Sequence, residues 1–387
     1  MEDFIFYNPT KIIFGKGTHK LVSREIKPYG NRVLFVYGKG SIKETGLYSE
    51  IVDQLKIQDI EFFELSGVKS NPELGLVREG IEICRREKLG FILAVGGGSV
   101  IDTAKAIAIG VSYSGDVWDF FIGKKAPTTS LPVGIVLTIP GSGSEASDAS
   151  VITHEKSKVK KSVHSLVMRP KFSILNPELT YTLKPIQLFY GISDTIAHVF
   201  ERYFTPTKYV DLTDRLCEAT IKSVMVNALL IKSNPDDYHP RAEIMWASTM
   251  AHNDILSAGR VGDWGCHKIS HAISAIYDTP HGVTFSVIFP AWMKYVYRHD
   301  VARFRQFALR VFDVEPNFGS DESIIQEGIA RLEKFYESLG LPLTLKDIGV
   351  FEDKFEAIAE KSVEFGAGRF FELQKEDVLE ILKLANC

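Results

Sequence analysis

One acidic side chain and three histidines stand where they could bind a metal ion together. Asp194 and His198 are four residues apart, so on a helix they lie on one face. His267 and His281 come from two later segments, with the local sequences Cys-His-Lys and Pro-His-Gly. One carboxylate and three imidazoles form a suitable ligand set for a divalent first-row metal. His271 follows His267 by one helical turn and would point into the same space without having to bind the ion.

The alternative for each of these residues is an ordinary structural contact. The chain has 10 histidines, and an acid and a histidine at i,i+4 often form only a surface pair. The segments around these residues are, however, rich in isoleucine, valine and phenylalanine. Several polar groups within apolar helices need one another or an ion as partners, so the pattern favours a metal site.

A glycine-rich turn at residues 96–102 could bind a phosphate group. Gly97, Gly98 and Ser99 follow an apolar strand pattern and precede a helix pattern that contains Asp102. Glycine lets the backbone approach a ligand closely, and the amides at a helix start can bind a pyrophosphate. The turn does not have the GxGxxG pattern of dinucleotide-binding folds. A tight strand-to-helix connection is therefore the alternative.

The chain resembles the iron-containing (group III) alcohol dehydrogenases, in particular the branch of butanol dehydrogenases and NADPH-dependent aldehyde reductases. The resemblance rests on residues 7–15, the GGGSxxD loop at 96–102 and the histidine segments, and it covers nearly the whole chain. It implies a reversible hydride transfer between NADP(H) and small aliphatic aldehydes or primary alcohols. It also implies that Fe²⁺ or Zn²⁺ is bound by Asp194, His198, His267 and His281.

The turn at residues 38–41 bears on the choice of cofactor. NAD-using relatives resemble classical dinucleotide enzymes in placing here an acidic residue that binds the ribose hydroxyls. This chain has Gly38 at that position, so Lys39 and Ser41 are available for a 2′-phosphate. We therefore expect NADP(H) to be favoured over NAD(H). The alternative is that Lys39 is a solvated turn residue.

Four more residues match cofactor-contacting positions of the family. The resemblance implies that Asn71 lies near the adenosine, Thr138 and Ser142 near the nicotinamide, and Lys160 near a ribose. By themselves these residues would be read as a turn, a helix cap and a solvated lysine. The complete set of predicted cofactor-binding residues is Gly38, Lys39, Gly40, Ser41, Asn71, Gly97, Gly98, Ser99, Asp102, Thr138, Ser142 and Lys160.

The first half of the sequence alternates strand and helix patterns. This alternation predicts βαβ units and a mostly parallel sheet. Short apolar runs predict strands that are buried on both faces. The predicted strands are 32–37, 59–65, 91–95 and 172–175, with a hairpin at 151–163, and the predicted helices are 41–55, 73–88 and 100–109.

The helical period dominates from Pro185, which fits the first turn of a helix. We therefore predict an α/β dinucleotide-binding domain at residues 1–184 and an all-α metal-binding domain at 185–387. Glycines and prolines, among them Pro290, are expected to separate successive helices. The resemblance implies a dehydroquinate synthase-like arrangement of two domains.

Composition excludes several classes of function. The formal charge is −4, which gives no indication of a nucleic-acid or anionic-membrane partner. No apolar run reaches the roughly 18 residues that span a bilayer. The four cysteines are scattered without a CxxC pair, and the acidic N-terminus lacks the pattern of a signal peptide. We expect reduced thiols and a cytoplasmic location.

His271 is the candidate proton relay, because an imidazole titrates near neutral pH. Its other possible role is structural, orienting His267 or a water molecule. The resemblance also implies a homodimer, in which an N-terminal strand at Phe4–Tyr7 could pair across a two-fold axis.

Three other functions are compatible with parts of the sequence. The nearest alternative is an NAD-dependent dehydrogenase of the glycerol or propanediol type. A lyase similar to dehydroquinate synthase needs several basic residues for its anionic substrate, and the helix expected at 186–204 offers only Arg202. A non-catalytic nucleotide-binding protein would be expected to lack a metal ligand, whereas all four are present.

Overall fold

The computed structural model describes residues 1–386, and the chain forms two compact units. The sheet unit comprises Tyr7–Leu183 and Asp236–Asn253. The helical unit comprises Met1–Phe6, Lys184–Pro235 and the chain from Asp254 onward. The main change of unit thus falls at Leu183/Lys184, while residues 236–253 group with the sheet.

The sheet unit is built on a six-stranded sheet with the order β1-β8-β5-β4-β2-β3, in which all neighbouring strands are parallel. A separate antiparallel hairpin is formed by β6 and β7. This confirms the predicted α/β class. The strands are β1 Lys11–Phe14, β2 Arg32–Tyr37, β3 Glu61–Leu65, β4 Phe91–Gly97, β5 Val133–Ile139, β6 Ala149–His154, β7 Val159–His164 and β8 Phe172–Leu175.

Helices cover both faces of this sheet. Alternate residues of its central strands accordingly pack in two different apolar clusters. Ile92 and Ala94 of β4 pack in a cluster with Ile101 and Ile107, whereas Leu93 packs in the other cluster. The helices of this unit are α1 Val22–Ile26, α2 Ser41–Glu44, α3 Leu47–Ile57, α4 Leu74–Arg86, α5 Gly98–Gly110, α6 Trp118–Phe121 and α9 Tyr238–Ala251.

The described part of the helical unit contains α-helices, short 3₁₀ turns and loops. As predicted, Pro185 is the first residue of its first helix. Pro290 was expected to separate two helices, but it lies inside α11 and is buried. Apolar packing along α11 outweighs the loss of one backbone hydrogen bond there. The helices are α7 Pro185–Tyr203, α8 Asp211–Ser233, α10 Gly265–Tyr277, α11 Phe285–Val296, α12 Val301–Val311, α13 Asp321–Ser338, α14 Phe355–Val363 and α15 Lys375–Leu384.

Some predicted elements differ from those observed. The helix expected at 41–55 is divided into α2 and α3 by Gly46, whose φ is 82°. The strand expected from residue 59 begins at Glu61, because Asp59 has a left-handed φ of 50°. Residues Phe4–Tyr7 are exposed and form no strand within a single chain, so their pairing across a two-fold axis stays a prediction.

Candidate metal and cofactor sites

Three of the predicted metal ligands come together within the helical unit. Asp194 projects from α7, His267 from the first turn of α10, and His281 from the 3₁₀ turn that follows α10. One ligand atom from each of the three lies within 4.8 Å of the other two. Asp194 and His267 are buried and His281 is half-buried. A carboxylate and two imidazoles at this spacing fit a divalent first-row cation.

His198, the fourth predicted ligand, lies beside this group and is buried. Its Nδ1 is 3.4 Å from Asp194 Oδ1, one helical turn earlier on α7. The centroid of its ring is 4.7 Å from that of His267. The i,i+4 spacing of Asp194 and His198 therefore does place both side chains on the face of α7 that meets His267.

Glu201 was not among the predicted site residues, although it lies on the same face of α7. Its side chain is 1% exposed, and Oε1 is 2.7 Å from His267 Nδ1. It also accepts hydrogen bonds from the backbone amides of His267 and Trp264. Burial raises the pKa of Glu201 to about 8, while these two amides act in the opposite direction. In the sequence, its position three residues after His198 was a signal that it lies on the same face of α7.

His281 is held by a close approach between two elements of the helical unit. A Cβ atom on Gly282 would lie 2.2 Å from the carbonyl oxygen of Tyr190 in α7, so no other residue fits there without a shift. The Oγ of Ser270 is 2.9 Å from His281 Nδ1. Within the Pro-His-Gly sequence, close packing thus explains the glycine, and His281 supplies the imidazole.

His271 lies next to the ligand group, one turn after His267. Its ring centroid is 5.1 Å from that of His281 and 6.4 Å from that of His267. The side chain is half-buried. This position is compatible with either of the two roles expected for His271.

The glycine-rich turn of the sheet unit is the end of β4 and the start of α5. Gly97 is the last strand residue and Gly98 the first helical one. A Cβ atom on Gly98 would lie 2.3 Å from Ser142 Oγ, so this glycine allows the loop after β5 to approach the start of α5. The two predicted cofactor-binding segments are therefore adjacent.

Three more predicted cofactor residues are close to one another in the same unit. Ser99 Oγ donates to the carbonyl oxygen of Ser70 at 2.5 Å. The next residue, Asn71, accepts a hydrogen bond from Lys160 Nζ at 2.9 Å. The Asn-Pro turn and the hairpin lysine thus lie beside the start of α5, which the sequence spacing could not have indicated.

The Asp102 carboxylate accepts hydrogen bonds from two other groups of the protein. Its Oδ1 accepts from Ser144 Oγ at 2.6 Å and its Oδ2 from the Val151 amide at 3.1 Å. Burial raises its pKa, and Lys105 opposes this. Lys105, one turn further along α5, is fully buried, and burial lowers its pKa to about 8. Both side chains fix the segment that follows β5.

The turn at residues 38–41 connects β2 to α2 and contains no carboxylate. Lys39 and Ser41 are exposed. The nearby Glu64 accepts hydrogen bonds from the hydroxyls of Tyr37 and Tyr48. This acidic group is therefore already engaged by two tyrosines.

Thr138 and Ser142 lie at the end of β5 and in the loop after it. Thr138 is within β5 and half-buried. Ser142 Oγ accepts a hydrogen bond from the Ser144 amide at 3.3 Å. The segment was interpreted as a possible helix cap, but residues 137–139 continue the strand.

Among residues 1–386, none of the helices combines the length and the apolar character that a membrane span requires.

Comparison with known proteins gives consistent matches over nearly the whole chain. Residues 9–177 match the family model for iron-containing alcohol dehydrogenase, and residues 189–386 match that for the C-terminal part of the Fe-containing alcohol dehydrogenase family. The chain is 44% identical over 384 residues to the probable NADH-dependent butanol dehydrogenase 1 of Bacillus subtilis, covering 99% of each. It is 34% identical over 369 residues to the NADPH-dependent aldehyde reductase YqhD of Escherichia coli, covering 95% of this chain and 94% of that one.

A solved structure shares the complete fold. The NADH-dependent butanol dehydrogenase A of Thermotoga maritima superposes with a TM-score of 0.97 at 43% identity, over 100% of this chain and 99% of that one. Fold, site and family models thus define the chain as an oxidoreductase of a class that uses a metal ion and NAD(P). It belongs to the iron-containing alcohol dehydrogenase family, which confirms the resemblance seen in the sequence.

Proposed function

We propose that this protein reduces small aliphatic aldehydes to primary alcohols, and catalyses the reverse oxidation, with a bound divalent metal and a nicotinamide cofactor. The observation that carries the proposal is the buried group of Asp194, His267 and His281, whose ligand atoms lie within 4.8 Å of one another. With His198 they would hold Fe²⁺ or Zn²⁺. Both ions accept a carboxylate with imidazoles.

A bound divalent cation polarises a carbonyl oxygen as a Lewis acid, and a reduced nicotinamide supplies the hydride. The residues of this chain supply the setting for that chemistry. Asp194 contributes negative charge that offsets the cation, and the neutral imidazoles contribute nitrogen lone pairs. Burial of Asp194, His198 and His267 keeps water away from them and strengthens electrostatic interactions.

The cofactor would bind through the sheet unit. The start of α5 offers backbone amides to the pyrophosphate, with Gly97, Gly98 and Ser99 at the point of closest approach. The linked side chains of Asn71 and Lys160 would contact the adenosine half and a ribose. Thr138 and Ser142 would border the nicotinamide, and Asp102 would act by holding the neighbouring segment in place.

For the choice of cofactor, we infer that NADP(H) is favoured over NAD(H). The turn of Gly38, Lys39, Gly40 and Ser41 carries no acidic group to bind ribose hydroxyls, and Lys39 is an exposed cation suited to a 2′-phosphate. The relatives differ on this point: the Bacillus subtilis and Thermotoga maritima proteins, at 44% and 43% identity, are named as NADH-dependent, and the Escherichia coli protein, at 34%, as NADPH-dependent. The inference therefore rests on the composition of the turn.

Butanal and 1-butanol are the proposed substrates. Two similar proteins are named butanol dehydrogenases and one is named an aldehyde reductase. His271 would relay the proton that converts aldehyde, NADPH and H⁺ into alcohol and NADP⁺, since its ring lies 5.1 Å from that of His281. In general, an imidazole can give up a proton near neutral pH.

We also infer that residues 1–184 bind the cofactor and residues 185–387 the metal, because every candidate residue falls on the corresponding side of this boundary. A homodimer is proposed by analogy with the family. A cytoplasmic location is consistent with the buried, unpaired thiols of Cys84, Cys217 and Cys266.

The proposal is tested on one preparation that is divided into a metal-loaded and a chelated half. We expect oxidation of NADPH by butanal only in the loaded half, with slower oxidation of NADH. His281→Ala should abolish both activity and Zn²⁺ binding, whereas His239→Ala, a change at an exposed histidine, should alter neither. Equal rates in the two halves, or activity that survives His281→Ala, would refute the metal-dependent mechanism.

A further inference from the structure

Glu201 makes a set of contacts that a solvated helix glutamate could not make. Its side chain is 1% exposed, and Oε1 lies 2.7 Å from His267 Nδ1 and 2.9 Å from the His267 amide. Its Oε2 accepts from the Trp264 amide at 2.5 Å. Three nitrogen atoms of one short segment thus converge on one buried carboxylate, and two of them belong to a candidate metal ligand.

This geometry determines which nitrogen of His267 is available to a metal. Each oxygen of Glu201 accepts a backbone N–H, which favours the ionised carboxylate. An ionised carboxylate only accepts hydrogen bonds, so the ring nitrogen beside it carries the proton. That nitrogen is Nδ1, and Nε2 consequently provides the lone pair. A second hydrogen bond, from the His267 amide to the same oxygen, fixes the backbone and ring relative to one acceptor.

The same carboxylate lies at the start of α10. The first residues of a helix have amides without intrahelical acceptors, and the side chain of the N-cap residue, Trp264, makes no capping hydrogen bond to them. Glu201 accepts from two of these amides, and its negative charge interacts favourably with the helix dipole. Helix start and imidazole orientation therefore depend on one residue of α7.

We propose that Glu201 is a positioning residue that holds His267 as the Nδ1–H tautomer and aims its Nε2 at the metal. The proposal rests on the metal site of the proposed function. Carboxylates that bind metal-ligating histidines in this way increase the basicity of the ligand, and their loss typically lowers metal affinity roughly 10- to 100-fold. Glu201 itself would not touch the ion or the substrate.

The test compares Glu201→Gln with two matched variants. Glu218→Gln makes the same change at another buried carboxylate of the helical unit, which contacts Tyr203 and Arg310. Asp263→Asn alters a second carboxylate at the start of α10, which accepts from the backbone amides of Gly265, Arg369 and Phe370. Zn²⁺ affinity is measured by competition with a chromophoric chelator, and Co²⁺-substituted protein is compared by its visible absorption.

We expect Glu201→Gln to weaken Zn²⁺ binding roughly 10- to 100-fold and to alter the Co²⁺ spectrum, while Glu218→Gln changes neither. Wild-type affinity in Glu201→Gln would overturn the proposal and leave the metal site standing. An equal loss in Asp263→Asn would also overturn it, because the effect would then come from the helix start rather than the ring.

A second measurement needs no metal. In metal-free protein with ¹⁵N-labelled histidine, assigned with His267→Asn, His267 should give the signals of the Nδ1–H tautomer. The Nε2–H tautomer would overturn the proposal even if Zn²⁺ binding is confirmed. If wild-type protein binds no Zn²⁺ but shows the Nδ1–H form, the proposed function fails while the hydrogen bond from His267 to Glu201 is upheld.

Discussion

Lys105 Nζ lies 2.6 Å from the carbonyl oxygen of Ser144, in a position that is closed to solvent. The same nitrogen also donates to the carbonyl oxygens of Ser147 and Ala149. A buried cation thus holds three carbonyl groups of the segment between β5 and β6. Because Ser142 and Gly98 are adjacent to this segment, its conformation bears directly on the proposed cofactor site.

Stability should depend on pH through Lys105. Burial lowers its pKa from 10.5 to about 8, so between these values the unfolded chain binds more protons than the folded one. The free energy of unfolding contributed by this group therefore increases by about 3 kcal/mol in all as pH rises from 8 to 10.5. The same amount is lost as pH falls from 10.5 to 8. Urea unfolding of wild type and Lys105→Met across this range measures the difference, and a difference that does not vary with pH would contradict the prediction.

Replacing His271 should separate the proton relay from metal binding. His271→Ala is expected to reduce turnover roughly 10²- to 10⁴-fold while bound metal stays at the wild-type level. Steady-state kcat and bound metal, measured on the same preparation, provide the test. Loss of metal together with activity would show that His271 is a ligand or a structural residue.

Lys39 should discriminate between the two cofactors. Lys39→Ala is expected to lower kcat/KM for NADPH roughly tenfold, since one charge-assisted hydrogen bond is lost, and to leave NADH unchanged. Steady-state rates with both cofactors provide the measurement. Lys56→Ala, at an exposed lysine of α3, serves as the control. An equal decrease with NADH and NADPH would mean that Lys39 does not bind the 2′-phosphate.

Gly282 should be intolerant of any side chain. The added methyl group of Gly282→Ala would lie 2.2 Å from the Tyr190 carbonyl oxygen and would displace the adjacent His281. We expect a loss of about 1–3 kcal/mol in the free energy of unfolding together with weaker Zn²⁺ binding. Gly90→Ala, where the nearest atom is 3.9 Å away, is the matched control. Unchanged Zn²⁺ affinity would show that His281 does not depend on this close packing.

Local patterns predicted the parts of the fold that depend on local chemistry. The apolar runs at 32–37 and 172–175 coincide with β2 and β8, and Pro185 marks the start of α7. The interruption at Gly46 was missed because a helical apolar period continues on both sides of it. β5 was not predicted as a strand because the hydroxyl and glycine residues after it resemble a loop.

The candidate site was predictable only in part. The spacing of Asp194 and His198 identified one face of α7, and the family motif added the two later histidines. Glu201 is on that face too, but glutamate on a helix is usually solvated. Its partner His267 is 66 residues away, so only tertiary structure shows that this carboxylate is buried and bound.

The grouping of α9 with the sheet has a consequence for how the gene can be divided. A gene fragment that ends at the codon for residue 184 would encode every strand and every candidate cofactor residue, but it would not encode α9. Ser248 of α9 accepts from the Gly141 amide at 2.7 Å, and Thr249 donates to the buried carboxylate of Glu145 at 2.6 Å. Truncation would leave these groups without their α9 partners. The nucleotide-binding half is therefore a discontinuous module, completed by a piece of chain translated after the first helices of the metal-binding half.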